Sequence, residues 1–332
     1  MNDIHIKKQV DILKKECIRI KPLVAIRCIT YNHEQYIRDA LEGFVRQKTN
    51  FPFVAIVHDD ASTDSTAEII KEYAKKFPSI IFPIIETENQ YHKPNNPIGK
   101  IMKEAITEAG AKYIAMCEGD DYWTDPYKLQ KQVDFLNANS DYSMCFHAVN
   151  VLVESVLKIN NNFNCITDRE FKAKEIFEKW TIPTCSVVYR KQCIDYKAEH
   201  PDFIVGDNVL FAACISQGKI FGFHDIMGVY RRNANSWTNH FLSTRESRYQ
   251  TLIGWVKHYS ALKECYPNIN GNIFDNQILI NLSILTVIDF FKDRTHLWTY
   301  FFHYLKIYKI KYIIAIINRF ILMVISKLKR ND

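Results

Sequence analysis

Tyr113-Ile114-Ala115-Met116-Cys117-Glu118-Gly119-Asp120-Asp121-Tyr122-Trp123 is the stretch whose reading decides the fold. An apolar run of strand length stops abruptly in three carboxylates within four residues. Carboxylates that close repel one another and raise each other's pKa. A divalent cation removes the conflict. Hard cations such as Mg²⁺ take oxygen ligands and bridge protein carboxylates to substrate phosphates. The bland alternative is a solvated acidic turn after a strand, and the rest of the chain bears on the choice.

Working toward the N-terminus, three more apolar runs precede three polar loops. Pro22 to Ile29, Phe53 to Val57 and Ile80 to Ile85 read as buried strands, with Lys112 to Cys117 as the fourth. Between them lie helical patterns: Tyr36, Ile37, Ala40, Leu41, Phe44 and Val45, then Ala67, Ile70, Tyr73, Ala74 and Phe77, then Ile98, Ile101, Met102, Ala105, Ile106 and Ala109. Asn32 is placed to cap the first helix, and Ser65 with Glu68 forms a capping-box pattern for the second. The alternation predicts an α/β fold whose sheet is mostly parallel, with helices on both faces. Ligands of such sheets sit beyond the carboxyl ends of the strands. The loops there are Thr30-Tyr31-Asn32-His33, His58-Asp59-Asp60-Ala61-Ser62, Glu86-Thr87-Glu88-Asn89 and Glu118-Gly119-Asp120-Asp121. All four share one edge, so the acidic loop belongs to a site rim.

Working toward the C-terminus, a helix follows Pro126 (Leu129, Val133, Phe135, Leu136), then a strand over Tyr142 to Phe146 and a polar loop from Asn160 to Asn164. Thr184 to Tyr189 and Ile220 to Tyr230 read as further strands. Gly206-Asp207-Asn208 precedes a short apolar helix, Val209 to Ile215. From about residue 243 the pattern is helical, around Thr251 to Leu262, Ile278 to Phe291 and Leu297 to Ile307.

Several classes are excluded by what the chain lacks. It has ten glycines, and none forms Gly-x-Gly-x-x-Gly, a P-loop or Gly-x-Ser-x-Gly. A diphosphate not held by glycine backbone needs another holder, and a metal on carboxylates is the obvious substitute. Nine cysteines are spread singly without zinc spacing and read as reduced thiols. The polar start, Met1 to Lys21, carries no secretory h-region, and no uncharged apolar run is long enough to span a membrane. The net charge of +6 sits in the last 32 residues, with seven cations against one acid; 36 charges of each sign remain elsewhere. A balanced core argues against a nucleic-acid partner.

Val24-Ala25-Ile26 with Thr30-Tyr31-Asn32, His58-Asp59-Asp60-Ala61-Ser62-Thr63-Asp64-Ser65-Thr66 and Glu118-Gly119-Asp120-Asp121-Tyr122-Trp123 together resemble family 2 glycosyltransferases of bacterial surface-polysaccharide type. The resemblance implies a GT-A type fold over residues 21–242. It also implies a nucleoside-diphosphate-sugar donor, with uracil as the usual base, and Mg²⁺ or Mn²⁺ as cofactor. Outside the 21–242 core, the residue pattern itself reads as a helical lead-in at 1–20 and a helical, basic and aromatic C-terminal region at 243–332.

By the family resemblance Thr30, Tyr31 and Asn32 lie near the nucleotide, and Asp59 bonds the base. Asp60 and Ser62 shape that loop. Glu118-Gly119-Asp120 occupies the family's Asp-x-Asp position, with Asp120 and its neighbour Asp121 as metal ligands. Asp207 resembles the catalytic base, and Tyr230-Arg231-Arg232 the closing segment, with Arg231 or Arg232 near the phosphates. Asn233 stands where many relatives carry a histidine. On residue type alone, Asp59, Asp60 and Asp207 also read as helix caps. His33, His58 and His147 read as structural or site residues, and Trp123 and Trp180 as core or acceptor groove.

The expected reaction is inverting transfer, with Asp207 as general base on an acceptor hydroxyl. A glycosidase needs no nucleotide pocket, and a sugar-1-phosphate nucleotidyltransferase is expected to carry a glycine-rich loop that is missing here. A catalytically inactive nucleotide-sugar-binding or scaffold protein of the same fold remains the alternative. The acceptor expected is a glycan or lipid-linked hydroxyl, and oligomer formation stays open.

Trp298, Tyr300, Phe301, Phe302, Tyr304 and Tyr308 make residues 297–308 densely aromatic. Tyr312 to Leu328 then shows a wide apolar face, including Ile313, Ile314, Ile317, Ile321, Val324 and Ile325. Asn318, Arg319, Ser326 and Lys327 form a narrow polar stripe. Arg319 argues against a spanning helix. One reading is a helix packed on the core or a partner chain; the other is peripheral membrane contact through 309–330, including Lys329 and Arg330. The latter places the protein in the cytoplasm, on the inner face of the membrane.

Overall fold

The computed structural model describes residues 2–91, 93, 97–153, 156–158, 163–195, 198–232, 245–292 and 297–328. The readings made at Asn233, Lys329 and Arg330, and for the side chains of Trp298, Tyr300, Phe301, Val324, Ile325, Ser326 and Lys327, fall outside what is described, as do residues 160–162. The chain divides into two compact units. One comprises Met1–Lys197 and Ala213–Asn233, the other Ala198–Ala212 and Ala234–Asp332.

The first unit is built on a ten-stranded sheet. Its strands are β1 (Val24–Thr30), β2 (Phe53–Asp59), β3 (Ile81–Ile85), β4 (Tyr113–Met116), β5 (Tyr122–Trp123), β6 (Tyr142–Val153), β7 (Val156–Lys158), β8 (Arg169–Phe171), β9 (Val188–Arg190) and β10 (Lys219–Arg232). The main order is β3-β2-β1-β4-β9-β6-β10-β5, with β7 on β6 and β8 on β10. The β3-β2-β1-β4 half is wholly parallel. β9 then runs antiparallel to both β4 and β6, while β10 lies parallel to β6.

The parallel half follows from the residues. Val24, Ala25, Ile26, Val54, Ala55, Ile56 and Val57 are fully buried, as expected where helices cover both faces of a sheet. Those helices are α1 (Asn2–Ile20), α2 (Ile37–Val45), α3 (Thr66–Lys76) and α4 (Pro97–Ala109), with α5 (Lys128–Ala138) beyond β5. Ile6, Val10, Leu13 and Cys17 form the buried stripe of α1, which packs on α4 and β3. β3 is an edge strand. The Gln9 side chain donates to the Ile85 carbonyl (3.1 Å) and accepts from the Ile85 N–H (2.9 Å), satisfying groups an edge leaves open.

Two expected helix caps are replaced by contacts across loops. Asn32 does not cap α2, whose N-cap position is Tyr36 and which has no side-chain cap. Ser65 likewise makes no cap bond to α3. The α3 start is held by Asp64, whose Oδ1 accepts from the Thr66 N–H (3.0 Å), and by Glu34, which accepts from the Ser65 N–H (3.0 Å). The strand expected from Thr184 begins as a 3₁₀ turn, Thr184–Ser186, because the Ser186 N–H and hydroxyl both donate to the Pro183 carbonyl (3.0 and 2.6 Å). Short helices α6 (Ala173–Glu178) and α7 (Gln192–Asp195) complete this part of the chain. None of the nine cysteines is in a disulfide.

The second unit is helical. α8 (Gly206–Gln217) starts in it and ends in the first unit. It is followed by α9 (Arg245–Cys265), α10 (Gly271–Lys292), α11 (Leu297–Tyr308) and α12 (Ile310–Leu328). Val256, Leu262, Tyr266, Phe274, Ile278 and Leu282 form its buried seam. Among the described residues no helix is long and apolar enough to cross a membrane.

Candidate active site at the carboxyl edge of the parallel sheet

β1 and β2 end in register, Thr30 opposite Asp59, and β2 and β3 end with Asp59 opposite Ile85. The loops that follow are stitched together. Asn32 takes a left-handed backbone (φ 53°), a conformation asparagine tolerates. Its N–H donates to Ser62 Oγ (2.9 Å), and its side-chain oxygen accepts from the Thr63 N–H (2.8 Å). The Asp60 N–H donates to the Thr30 carbonyl (3.0 Å). Tyr31 stands exposed on this rim.

The two adjacent aspartates are both buried, and each organises a turn. Asp59 accepts from the Ser62 N–H (3.0 Å) and hydroxyl (2.5 Å). Asp60 accepts from the N–H groups of Gln90 (2.7 Å) and Tyr91 (3.1 Å), which ties the loop after β3 to the loop after β2. Burial raises both carboxyls above the ordinary aspartate value, against these hydrogen bonds. Asp59 therefore lies beneath the 59–62 turn and is not open on the rim.

The acidic loop after β4 packs directly against the first loop. Glu118 turns inward: one oxygen pairs with the Arg27 guanidinium (2.7 Å) and the other accepts from the Ile29 N–H (2.9 Å). The Gly119 N–H donates to the Ile29 carbonyl (3.0 Å). A Cβ at Gly119 would lie 2.7 Å from both Cβ and Oγ1 of Thr30 and 3.0 Å from His33 Nδ1. Only glycine permits that approach. Thr30 Oγ1 and His33 Nδ1 are buried without a partner among the described residues.

Asp120 and Asp121 part company. Asp120 is half-buried, and among the described residues no hydrogen bond or ion pair takes up its carboxylate. Asp121 is turned into the interior, where its Oδ1 accepts from the Arg231 N–H (2.7 Å). Burial, and next the Asp120 charge, push the Asp121 carboxyl well above the ordinary range. The two neighbours, grouped from sequence as metal ligands, thus present one open carboxylate and one enclosed one.

Successive residues of β10 point to opposite faces. The Arg231 guanidinium lies 4.3 Å from the Tyr122 ring centre and 5.3 Å from that of Tyr36, donates to the Asp120 carbonyl (2.9 Å) and pairs with Asp39. Arg232 does not join it: its guanidinium lies 5.9 Å from the Tyr230 ring and 6.0 Å from that of Phe163. Asp207, half-buried in the first turn of α8, belongs to the second unit. Elsewhere, Asp225 pairs with Lys131 (3.3 Å), and the Asp202 carboxylate lies 3.9 Å from His200.

Trp123 is core. It is 4% exposed, its Nε1 donates to the Cys185 carbonyl (2.7 Å), and Phe44 meets it edge-on. Trp180 is exposed. His58 pairs in the interior with Glu86 (3.0 Å), and His147 is buried on the Ala148 carbonyl (2.8 Å). Three contributors were missed from sequence. Arg27 was legible, since a charge inside an apolar strand needs a buried counter-carboxylate. Asp39 carried no signal beyond an exposed helix position. Lys128 is fully buried with its ammonium 3.8 Å from the Trp123 ring centre, and it reads in sequence as an ordinary polar helix residue.

Among the described residues no three His, Cys, Asp or Glu side chains cluster as a protein-only metal site. One open carboxylate fits a cation whose remaining ligands come from substrate phosphates, as Mg²⁺ sites often do. Comparison with known proteins agrees with this architecture. The family model described as glycosyl transferase family 2 matches residues 26–195. An uncharacterized protein of Mycobacterium tuberculosis is 37% identical over 224 residues, covering 67% of this chain and 63% of the relative's length. Residues 1–349 of S. aureus TarS, solved with UDP, superpose with a TM-score of 0.55 at 16% identity, covering 78% of this chain and 70% of that one. The mannosyltransferase PcManGT of Pyrobaculum calidifontis, solved with GDP-Man and Mn²⁺, gives 0.54 at 14% identity and covers 95% of both chains.

Proposed function

The chain belongs to glycosyl transferase family 2, and from that premise we propose that it is an inverting glycosyltransferase with a GT-A core over residues 21–242. It transfers a sugar from a nucleoside-diphosphate donor, UDP-linked in this reading, to a hydroxyl of a glycan or lipid-linked acceptor in surface-polysaccharide assembly. The observation that carries the reading is the open Asp120 carboxylate, held by Gly119 against the Thr30–His33 loop.

The residues divide the work as follows. Tyr31 and the 59–62 turn form the rim for the base, with Asp59 as the carboxylate beneath it. Glu118 braces the acidic loop on β1 through Arg27. Arg231 and Asp121 hold the other side of that loop, so Asp120 faces the donor from a fixed backbone. A divalent cation on Asp120, Mg²⁺ or Mn²⁺, would neutralise charge developing on the departing diphosphate. Asp207 takes the proton of the acceptor hydroxyl as the new bond forms on the face opposite the leaving group. The neighbour solved with Mn²⁺ and a sugar nucleotide supports the choice of cofactor.

The test is a panel of sugar nucleotides with Mn²⁺ or Mg²⁺, scored for nucleoside diphosphate released and for sugar transferred to lipid extracts and glycans. Transfer from one donor establishes the activity. Tight UDP binding with no turnover on any acceptor would turn the reading into that of an inactive binding protein.

A further inference from the structure

We propose that the outward face of α12 is a membrane-surface anchor that seats on anionic phospholipid. The helix has two faces of different fate. Tyr312 is fully buried, and its hydroxyl shares a hydrogen bond with Thr286 Oγ1 on α10 (2.5 Å). On the opposite side Ile310, Ile314, Ile317 and Ile321 are each half or more exposed. Their spacing of four, three and four residues puts them on one stripe, about half a turn from Tyr312. A continuous β-branched stripe in water is the kind of patch that marks an interaction surface.

Charge identifies the occupant. Exposed Lys309 and Lys311 lie at the start of the stripe, and α12 contains no Asp or Glu. A second copy docked through this face would bring lysines near lysines with no carboxylate of either helix to pair them. An anionic bilayer meets both features, taking the isoleucines among its acyl chains and the ammonium groups at its phosphates. The helix lies in the surface and does not cross: none of the described helices is long and apolar enough to span, and Arg319 sits in its middle. The lipid-linked acceptor proposed above makes such an anchor useful, but the contact itself depends on neither donor nor acceptor.

The experiment is co-sedimentation of the full-length chain with phosphatidylcholine vesicles, with and without phosphatidylglycerol, at low and high salt. Binding is expected only to the anionic vesicles and to weaken with salt. Replacing Ile314, Ile317 and Ile321 together by Gln should cut it at least about tenfold. Lys309→Gln with Lys311→Gln should cut it about fivefold for each cation removed. These side chains are exposed, so thermal unfolding of both variants should match the wild type; should the triple variant not fold, the lysine pair and the salt series still decide. Failure of the wild type to bind anionic vesicles at low salt overturns the proposal. So does undiminished binding by the isoleucine variant, or a dimer that those substitutions convert to monomer without vesicle binding. Wild-type protein that binds anionic vesicles but transfers sugar from no sugar nucleotide would overturn the catalytic reading and leave the anchor standing.

Discussion

Asp121 and Arg231, 110 residues apart in the chain, are joined by a hydrogen bond of 2.7 Å from the arginine backbone N–H to the aspartate carboxylate. The arginine side chain then returns to the Asp120 carbonyl. One residue at the end of β10 thereby fastens both aspartates of the acidic loop, by backbone on one side and guanidinium on the other. Burial and the neighbouring negative charge hold the Asp121 carboxyl above its ordinary range, so hydrogen-bond acceptance matters more here than charge. Asp121→Asn should therefore stay within about 1 kcal/mol of wild type in urea unfolding. Asp121→Ala should lose about 1–3 kcal/mol, the cost of a buried N–H left unpaired. Equal losses in the two variants would contradict this account.

Asp120→Ala removes the open carboxylate and leaves the loop's bonds through Glu118, the Gly119 N–H and Asp121 in place. UDP binding measured by calorimetry should lose its dependence on Mn²⁺, and transfer should fall to background, while the melting temperature holds. Metal dependence equal to wild type would move the ligand elsewhere.

Gly119→Ala tests the close approach of the two loops. The added methyl would meet Thr30 at 2.7 Å, well inside contact distance. Overpacking of this kind costs about 1–3 kcal/mol. Because the strain falls on the Thr30–His33 loop, UDP affinity should drop along with stability. An alanine variant equal to wild type in both would show that the loops are not in register as described.

Asp207→Asn keeps size and removes the proton acceptor. Turnover should fall by about 10²–10⁴-fold, the usual worth of a general base, with donor affinity little changed. Near wild-type turnover would remove Asp207 from the mechanism.

Lys128 makes stability depend on pH. Burial lowers its ammonium from 10.5 to about 7, with the thiols of Cys117, Cys145 and Cys185 opposing the shift. Below about 7 the folded protein carries the buried charge at full cost. Between about 7 and 10.5 the unfolded chain holds the proton that the folded chain has released, so this group's contribution rises with pH. Lys128→Met should accordingly be more stable than wild type at pH 6. That advantage should shrink by about 2–4 kcal/mol toward pH 10, allowing for the Trp123 ring, which favours the cation. A constant gap across that range in denaturant titrations would show that Lys128 does not titrate there.

The parallel half of the sheet is legible in the sequence for a local reason. Phe53 to Val57 is a continuous apolar run and Val24 to Ile29 is apolar but for Arg27, the helices between them repeat at 3.6 residues, and the alternation permits few topologies. It follows that four polar loops share one edge, and Gly119 with its flanking acids was marked by composition alone. What pattern could not give is where each side chain points, since that depends on residues distant in sequence.

Tertiary structure decided that Glu118 turns back to Arg27, that Asp121 goes inside to Arg231 while Asp120 stays open, and that Asn32 binds across to Thr63 instead of capping its own helix. It also decided that β9 enters antiparallel between β4 and β6. Local periodicity reports how much of a segment is buried; hydrogen-bond partners are chosen only once the backbone has brought remote residues within about 3 Å. The same holds for α12, whose apolar face is plain in sequence. That Tyr312 is buried and the isoleucine stripe turned outward was fixed by the fit of the tyrosine against Thr286, a pairing 26 residues apart.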